Sequence, residues 1–67
     1  MKNIIRERRK LMKLSQDELA TRCGVTRQTI NAIENNKYDP TLKLAFKLSV
    51  NLETSVDILF DYEEAKQ

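Results

Sequence analysis

Sixty-seven residues, 40% of them hydrophobic and 33% charged, make one domain with one small core, and leave no room for an enclosed small-molecule pocket besides. The chain has no histidine and a single cysteine, which excludes an internal disulfide. No metal-ligand cluster, no base beside the cysteine and no glycine-rich phosphate loop is present, so neither an enzyme nor a metal or cofactor is expected. The net charge of +2 is unevenly spread: residues 1–37 hold nine Lys/Arg against four Asp/Glu, and residues 38–67 hold three against six. A positive half suits a phosphate-facing surface, although a solvated helix face has the same composition. The start, MKNIIRERRKLMK, is too charged for a signal peptide, and no apolar run is long enough for a membrane helix. The expected location is therefore the reducing cytoplasm.

The first predicted helix runs from about Ile4 to Lys13, capped by Asn3, with Ile5, Met12 and Leu14 nearest the core. Ser15 then caps a second helix, Gln16 to about Arg22, and Glu18 three residues on completes a capping box. Gly24, the sole glycine, falls where that helix must stop in a left-handed residue. Thr26 caps a third helix reaching about Asn35. Leu19, Cys23, Val25, Ile30 and Ile33 face inward along this stretch, and Ala20 is small where the two helices cross. Cys23 reads as a small core residue rather than a reactive thiol.

Asn36 serves as a left-handed end to the third helix, and Lys37 to Pro40 form a loop. Thr41 caps a fourth helix, Leu42 to about Leu52, with an inward stripe of Leu42, Ala45, Leu48, Ser49 and Leu52. Ser55 caps a short fifth helix, Val56 to about Leu59, with Val56, Leu59 and Phe60 turned inward. A brief strand at Phe60-Asp61-Tyr62 interrupts an otherwise polar tail. The reading is one all-α, five-helix domain over residues 1–67, with its core in 4–60 and a tail at 61–67.

Two short helices joined by a tight turn, the second polar on its outer face, are what a protein needs to put a helix into the major groove of DNA. Opposite Ile30 and Ile33, the third helix carries Gln28, Asn31, Ala32 and Asn35 at one-stripe spacing, and Arg27 sits at its start. Arg pairs with the O6 and N7 atoms of guanine, Gln or Asn with N6 and N7 of adenine, and Ala leaves room for a thymine methyl. Arg27, Gln28, Asn31 and Ala32 are therefore the candidate base contacts. Gln16, Thr26, Thr29, Asn35, Lys37, Tyr38 and Thr41 flank the reading helix as candidate backbone contacts. Tyr38 either meets a phosphate or covers the loop before Pro40. Arg9, on the inward side of the first helix, and Glu34, near the end of the third, form either a partly buried ion pair or two exposed charges.

Taken together, Arg9, Ser15-Gln16, Glu18-Leu19-Ala20, Gly24-Val25-Thr26, Gln28-Thr29-Ile30, Ile33-Glu34-Asn35, Lys37, Pro40, Leu42 and Leu52 resemble the Cro/C1-type helix-turn-helix regulators, the XRE family. The resemblance covers about residues 4–60. It implies a five-helix Cro/C1 repressor-like fold with the third helix in the major groove of double-stranded DNA. By position it places Arg27, Gln28, Asn31 and Ala32 on base-reading sites. It places Gln16, Thr26, Thr29, Asn35 and Lys37 on backbone sites, and Arg9 with Glu34 on an inter-helix ion pair. Asn36 stands where many members have glycine, and Arg8 where an apolar residue is common.

So small a domain reads few base pairs, so a specific site calls for two half-sites and a homodimer. Phe46 and Val50 on the fourth helix and Ile58 on the fifth, with Phe60 and Tyr62, are the expected two-fold contact; the alternative is that they complete a thin core. A dimeric repressor is the simplest function. A protein-interaction module with an unknown protein partner is the rival, and an acidic patch at Asp57, Asp61, Glu63 and Glu64 keeps activation open.

Overall fold

Four helices end in the same way, and that shared ending sets the turns of the fold. In the computed structural model, which describes residues 1–61, β1 is Lys2–Asn3, α1 is Ile5–Leu11, α2 is Gln16–Cys23 and α3 is Arg27–Glu34. They are followed by α4 (Leu42–Asn51), α5 (Val56–Leu59) and β2 (Phe60–Asp61). After α1, α2, α3 and α4 stand Lys13, Gly24, Asn36 and Glu53, with φ of 57°, 72°, 61° and 57°. The next residue's N–H returns to a carbonyl five positions back in each case. Leu14 bonds Arg9 at 2.9 Å, Val25 bonds Ala20 at 3.0 Å, Lys37 bonds Ala32 at 2.9 Å and Thr54 bonds Ser49 at 3.0 Å. This closure satisfies the orphan carbonyls of the last turn, and only at Gly24 is its left-handed residue free of Cβ strain.

The starts are fixed by side chains. Ser15 Oγ accepts from the Glu18 N–H at 3.0 Å while Glu18 Oε1 accepts from the Ser15 N–H at 2.8 Å, the expected capping box. Thr26 and Thr41 accept from the N–H of Thr29 and Leu44. Two expected caps differ. Ser55 occupies the cap position of α5 without bonding its backbone, and its hydroxyl, followed by the backbone N–H groups at the start of the helix, holds the Asp57 carboxyl below its ordinary range. Asn3 is one residue too early, since Ile4 is the cap of α1. Its Oδ1 accepts from the Ile5 N–H at 3.1 Å and its Nδ2 donates to the Ile33 carbonyl at 2.8 Å, so it joins the end of α3 to the start of α1.

The core packs Ile5 and Leu14 against Leu19, Ala20 and Cys23 of α2 and Ile30 and Ile33 of α3, with Leu44, Ala45, Leu48, Leu52, Leu59 and Phe60 closing the other side. Met12, Val25 and Val56 pack at its margin. Leu42 departs from the expectation: it is 70% exposed, and Leu44, 7% exposed, takes the inward place. α4 carries two apolar rows, Leu44-Leu48-Leu52 and Leu42-Phe46-Val50. Two residues is about 200° around a helix, so only one row can face the core.

A second difference is β1. Its Lys2 and Asn3 pair antiparallel with Asp61 and Phe60, which ties the two ends of the domain together. Phe60, expected at the dimer contact, is 9% exposed and belongs to the core. The pairing of its backbone with Asn3 turns the ring inward beneath the ribbon. Tyr62 and the rest of the tail lie outside the described residues. Arg8 has a structural role that sequence did not suggest: its guanidinium donates to the Leu52 carbonyl at 2.8 and 3.1 Å and to the Glu53 carbonyl at 3.1 Å, capping the end of α4.

Candidate nucleic-acid interface

α3 presents its polar side because its other side is locked. Ile30 and Ile33 are at most 1% exposed, and the helix is oriented by them and by Glu34. Gln28 and Asn31 are exposed, and Ala32 is half-buried. Arg27 stands at the first position of α3, its Nε 3.6 Å from Asp17 Oδ1 of α2. That contact lies in water and is worth little by itself, so the exposed guanidinium stays available to an incoming ligand. The four candidate base contacts thus share one accessible side of one helix.

The flanking candidates are less uniform. Asn35 is exposed, yet its amide already donates to the Asn31 carbonyl at 2.9 Å and its Oδ1 accepts from Arg6 at 3.1 Å. The Thr26 and Thr29 hydroxyls lie 3.1 Å apart at the start of α3. Lys37 and Tyr38 are exposed in the loop after α3, and Thr41 begins α4. Gln16 is half-buried, and its Nε2 donates to Glu34 Oε1 at 3.0 Å. The carboxamide is therefore fixed in place, leaving one amide hydrogen for an incoming phosphate.

Glu34 is the junction of this surface with its support. Its side chain has no exposure, and it receives Arg9 Nε at 2.8 Å and Arg9 Nη2 at 3.3 Å in a two-pronged pair, with Arg6 Nε at 3.5 Å. Arg9 also donates through Nη1 to the Leu14 carbonyl at 3.0 Å, and its side chain is 12% exposed. The pair is therefore buried, joining α1 to α3. Burial raises the glutamate pKa, but hydrogen bonds from Arg9 and Gln16 and the charges of Arg9 and Arg6 outweigh it, so the group sits below its ordinary value. Arg6, overlooked in the sequence, stands three residues before Arg9 and so on the same side of α1. Cys23 is 1% exposed and burial raises its thiol pKa, which fits a packing role.

Two crossed helices, a left-handed turn between them and a polar second helix held on a five-helix frame define a helix-turn-helix DNA-binding domain. The sequence profile of the family described as "Helix-turn-helix" matches residues 5–59. This chain belongs to that family, in its Cro/C1 (XRE) type, and is a DNA-binding transcriptional regulator. It is 48% identical over 64 residues to an uncharacterised HTH-type transcriptional regulator of Methanocaldococcus jannaschii, covering 96% of this chain and 97% of the relative.

The fold is similar to SinR solved in complex with DNA, at a TM-score of 0.77 and 34% identity over 85% of this chain and 92% of that one. It is also similar to the SinR/SinI protein complex, at a TM-score of 0.78 and 31% identity. There it covers 94% of this chain and spans 62% of the matched chain. No helix among the described residues is long and apolar enough to cross a membrane.

Proposed function

We propose that this regulator is a homodimeric repressor that reads an inverted-repeat operator by laying α3 in the major groove of each half-site. Arg27, Gln28, Asn31 and Ala32 read base edges. Gln16, Thr26, Thr29, Asn35, Lys37, Tyr38 and Thr41 set the register by contacts to the sugar-phosphate backbone. The observation that carries this reading is the exposed stripe of α3, where neither Lys nor Glu stands among the side chains suited to base edges. Its support is rigid: the opposite side of the helix is buried, and its last residue is held by two arginines and a glutamine.

The two-fold contact is formed by Leu42, Phe46 and Val50 of α4 with Ile58 of α5, which are 70%, 55%, 74% and 62% exposed. Such a set of large apolar side chains in water favours burial against a copy of itself. Two copies place two reading helices on one side of the duplex, one helical turn or roughly 34–36 Å apart. Repression follows most simply, because a small dimer on a promoter excludes polymerase. A protein partner is a second reading, supported by the SinR/SinI complex among the similar structures.

Footprinting on an operator, combined with sedimentation, tests the dimer. Protection of two half-sites by two protomers is expected. Protection of a single half-site by one protomer contradicts it.

A further inference from the structure

The outer side of α4 is divided lengthwise. Leu42, Phe46 and Val50 make one edge, and Lys43 and Lys47, four residues apart, make the other. The lysine edge borders an open groove of about 300 Å³ between the helix-turn-helix and the start of α4. Gly24 of the turn, Thr29 of α3, Tyr38 of the loop and Thr41 line the same groove, and no carboxylate does so among the described residues. Lys47 reaches over the turn: its Nζ lies 4.0 Å from the point where Gly24 would carry a Cβ. Lys43 and Lys47 have no ion-pair partner among the described residues, whereas Arg6, Arg9 and Arg27 each have one.

We propose that Lys43 and Lys47 are backbone-contacting residues that seat a strand of operator DNA in this groove, beyond the helix-turn-helix itself. The inference rests on α3 docking in the major groove, as proposed above. Thr29 follows Gln28 directly, so a strand leaving the base-reading side passes the mouth of the groove. There it meets two ammonium groups and the hydroxyls of Thr29, Tyr38 and Thr41, and no opposing negative charge. A polyanion is favoured by that combination, and the lysines bind as mobile point charges without base preference. The division of α4 follows: one edge meets DNA while the other meets the second protomer.

Fluorescence anisotropy with a selected operator duplex, repeated across salt concentrations, tests this. Three proteins are compared: wild type, Lys43→Gln/Lys47→Gln, and a charge-matched control, Lys2→Gln/Lys10→Gln, altered outside the groove. Each phosphate contact contributes about 0.9 to the slope of log affinity against log salt. The groove variant is expected to lose close to two contacts' worth of slope, and the control little. The loss should be equal on matched and mismatched duplexes. An unchanged slope in the groove variant, or an equal fall in the control, overturns the inference while wild-type binding leaves the α3 docking intact. Wild-type protein that fails to prefer its operator overturns the docking itself, and the groove assignment with it.

Discussion

Arg9 Nε lies 2.8 Å from Glu34 Oε2, joining the middle of α1 to the last residue of α3 across the one buried ion pair among the described residues. Removing one partner leaves the other charge desolvated, which costs roughly 3–5 kcal/mol. For so small a domain that is a large share of a total near 5–15 kcal/mol. Arg9→Ala and Glu34→Ala should each lower the denaturation midpoint accordingly. Wild-type stability of either variant would contradict the burial.

The same pair makes the fold acid-labile. Glu34 has its pKa held down in the folded state. Its contribution to stability is therefore fully present above the ordinary glutamate value, about 4.3, and is lost as pH falls from there through the depressed folded value. Urea denaturation at a series of pH values should show wild-type stability falling across that window. Glu34→Gln, already less stable at neutral pH, should show a shallower fall. Parallel curves for the two proteins would remove Glu34 from the account.

The shared helix ending gives paired predictions of opposite sign. Lys13 and Glu53 hold left-handed conformations that cost an L-residue about 1–2 kcal/mol, against roughly 0.5–1 kcal/mol for the greater chain freedom of glycine. Lys13→Gly and Glu53→Gly should each raise stability by a few tenths to about 1 kcal/mol in thermal melts. Gly24→Ala should cost a few tenths to about 1 kcal/mol, the same strain less the glycine's chain freedom, because the added Cβ meets nothing nearer than Lys47 Nζ at 4.0 Å.

Charge placed in the exposed apolar set of α4 and α5 should separate the protomers without unfolding them. Val50→Glu and Ile58→Glu alter side chains 74% and 62% exposed, so melts should stay near wild type while sedimentation reports monomers. Operator affinity should fall tenfold or more, since each half-site alone binds weakly. Unfolding of both variants would show instead that these residues are needed by the core.

Much of this was legible because the local signals agree. The capping box at Ser15 and Glu18, the glycine at the turn and the inward spacing of Leu19, Cys23, Ile30 and Ile33 all point to the same pair of helices. The Arg9–Glu34 pair and the left-handed Asn36 were readable from position as well. Lys13 and Glu53 were not, because neither residue type signals a left-handed turn; tertiary packing imposes it. Leu42 and Leu44 are both leucines near the start of α4, and nothing local says which apolar row is inward. The pairing of Lys2–Asn3 with Phe60–Asp61 is a contact between chain ends too short for any alternation to show. The role of Arg8 carries no local signal, because its target, the Leu52 carbonyl, is a backbone atom 44 residues away.

The central claim is that the exposed stripe of α3 reads sequence as one half of a symmetric pair. Selection of binding sites from random duplexes, done with wild type and with Gln28→Ala, tests it most directly. An inverted repeat with half-sites one helical turn apart should emerge. Preference should relax in the variant by roughly 1–3 kcal/mol at a single position of each half-site. Enrichment without a repeat, or an identical preference in the variant, would contradict the account.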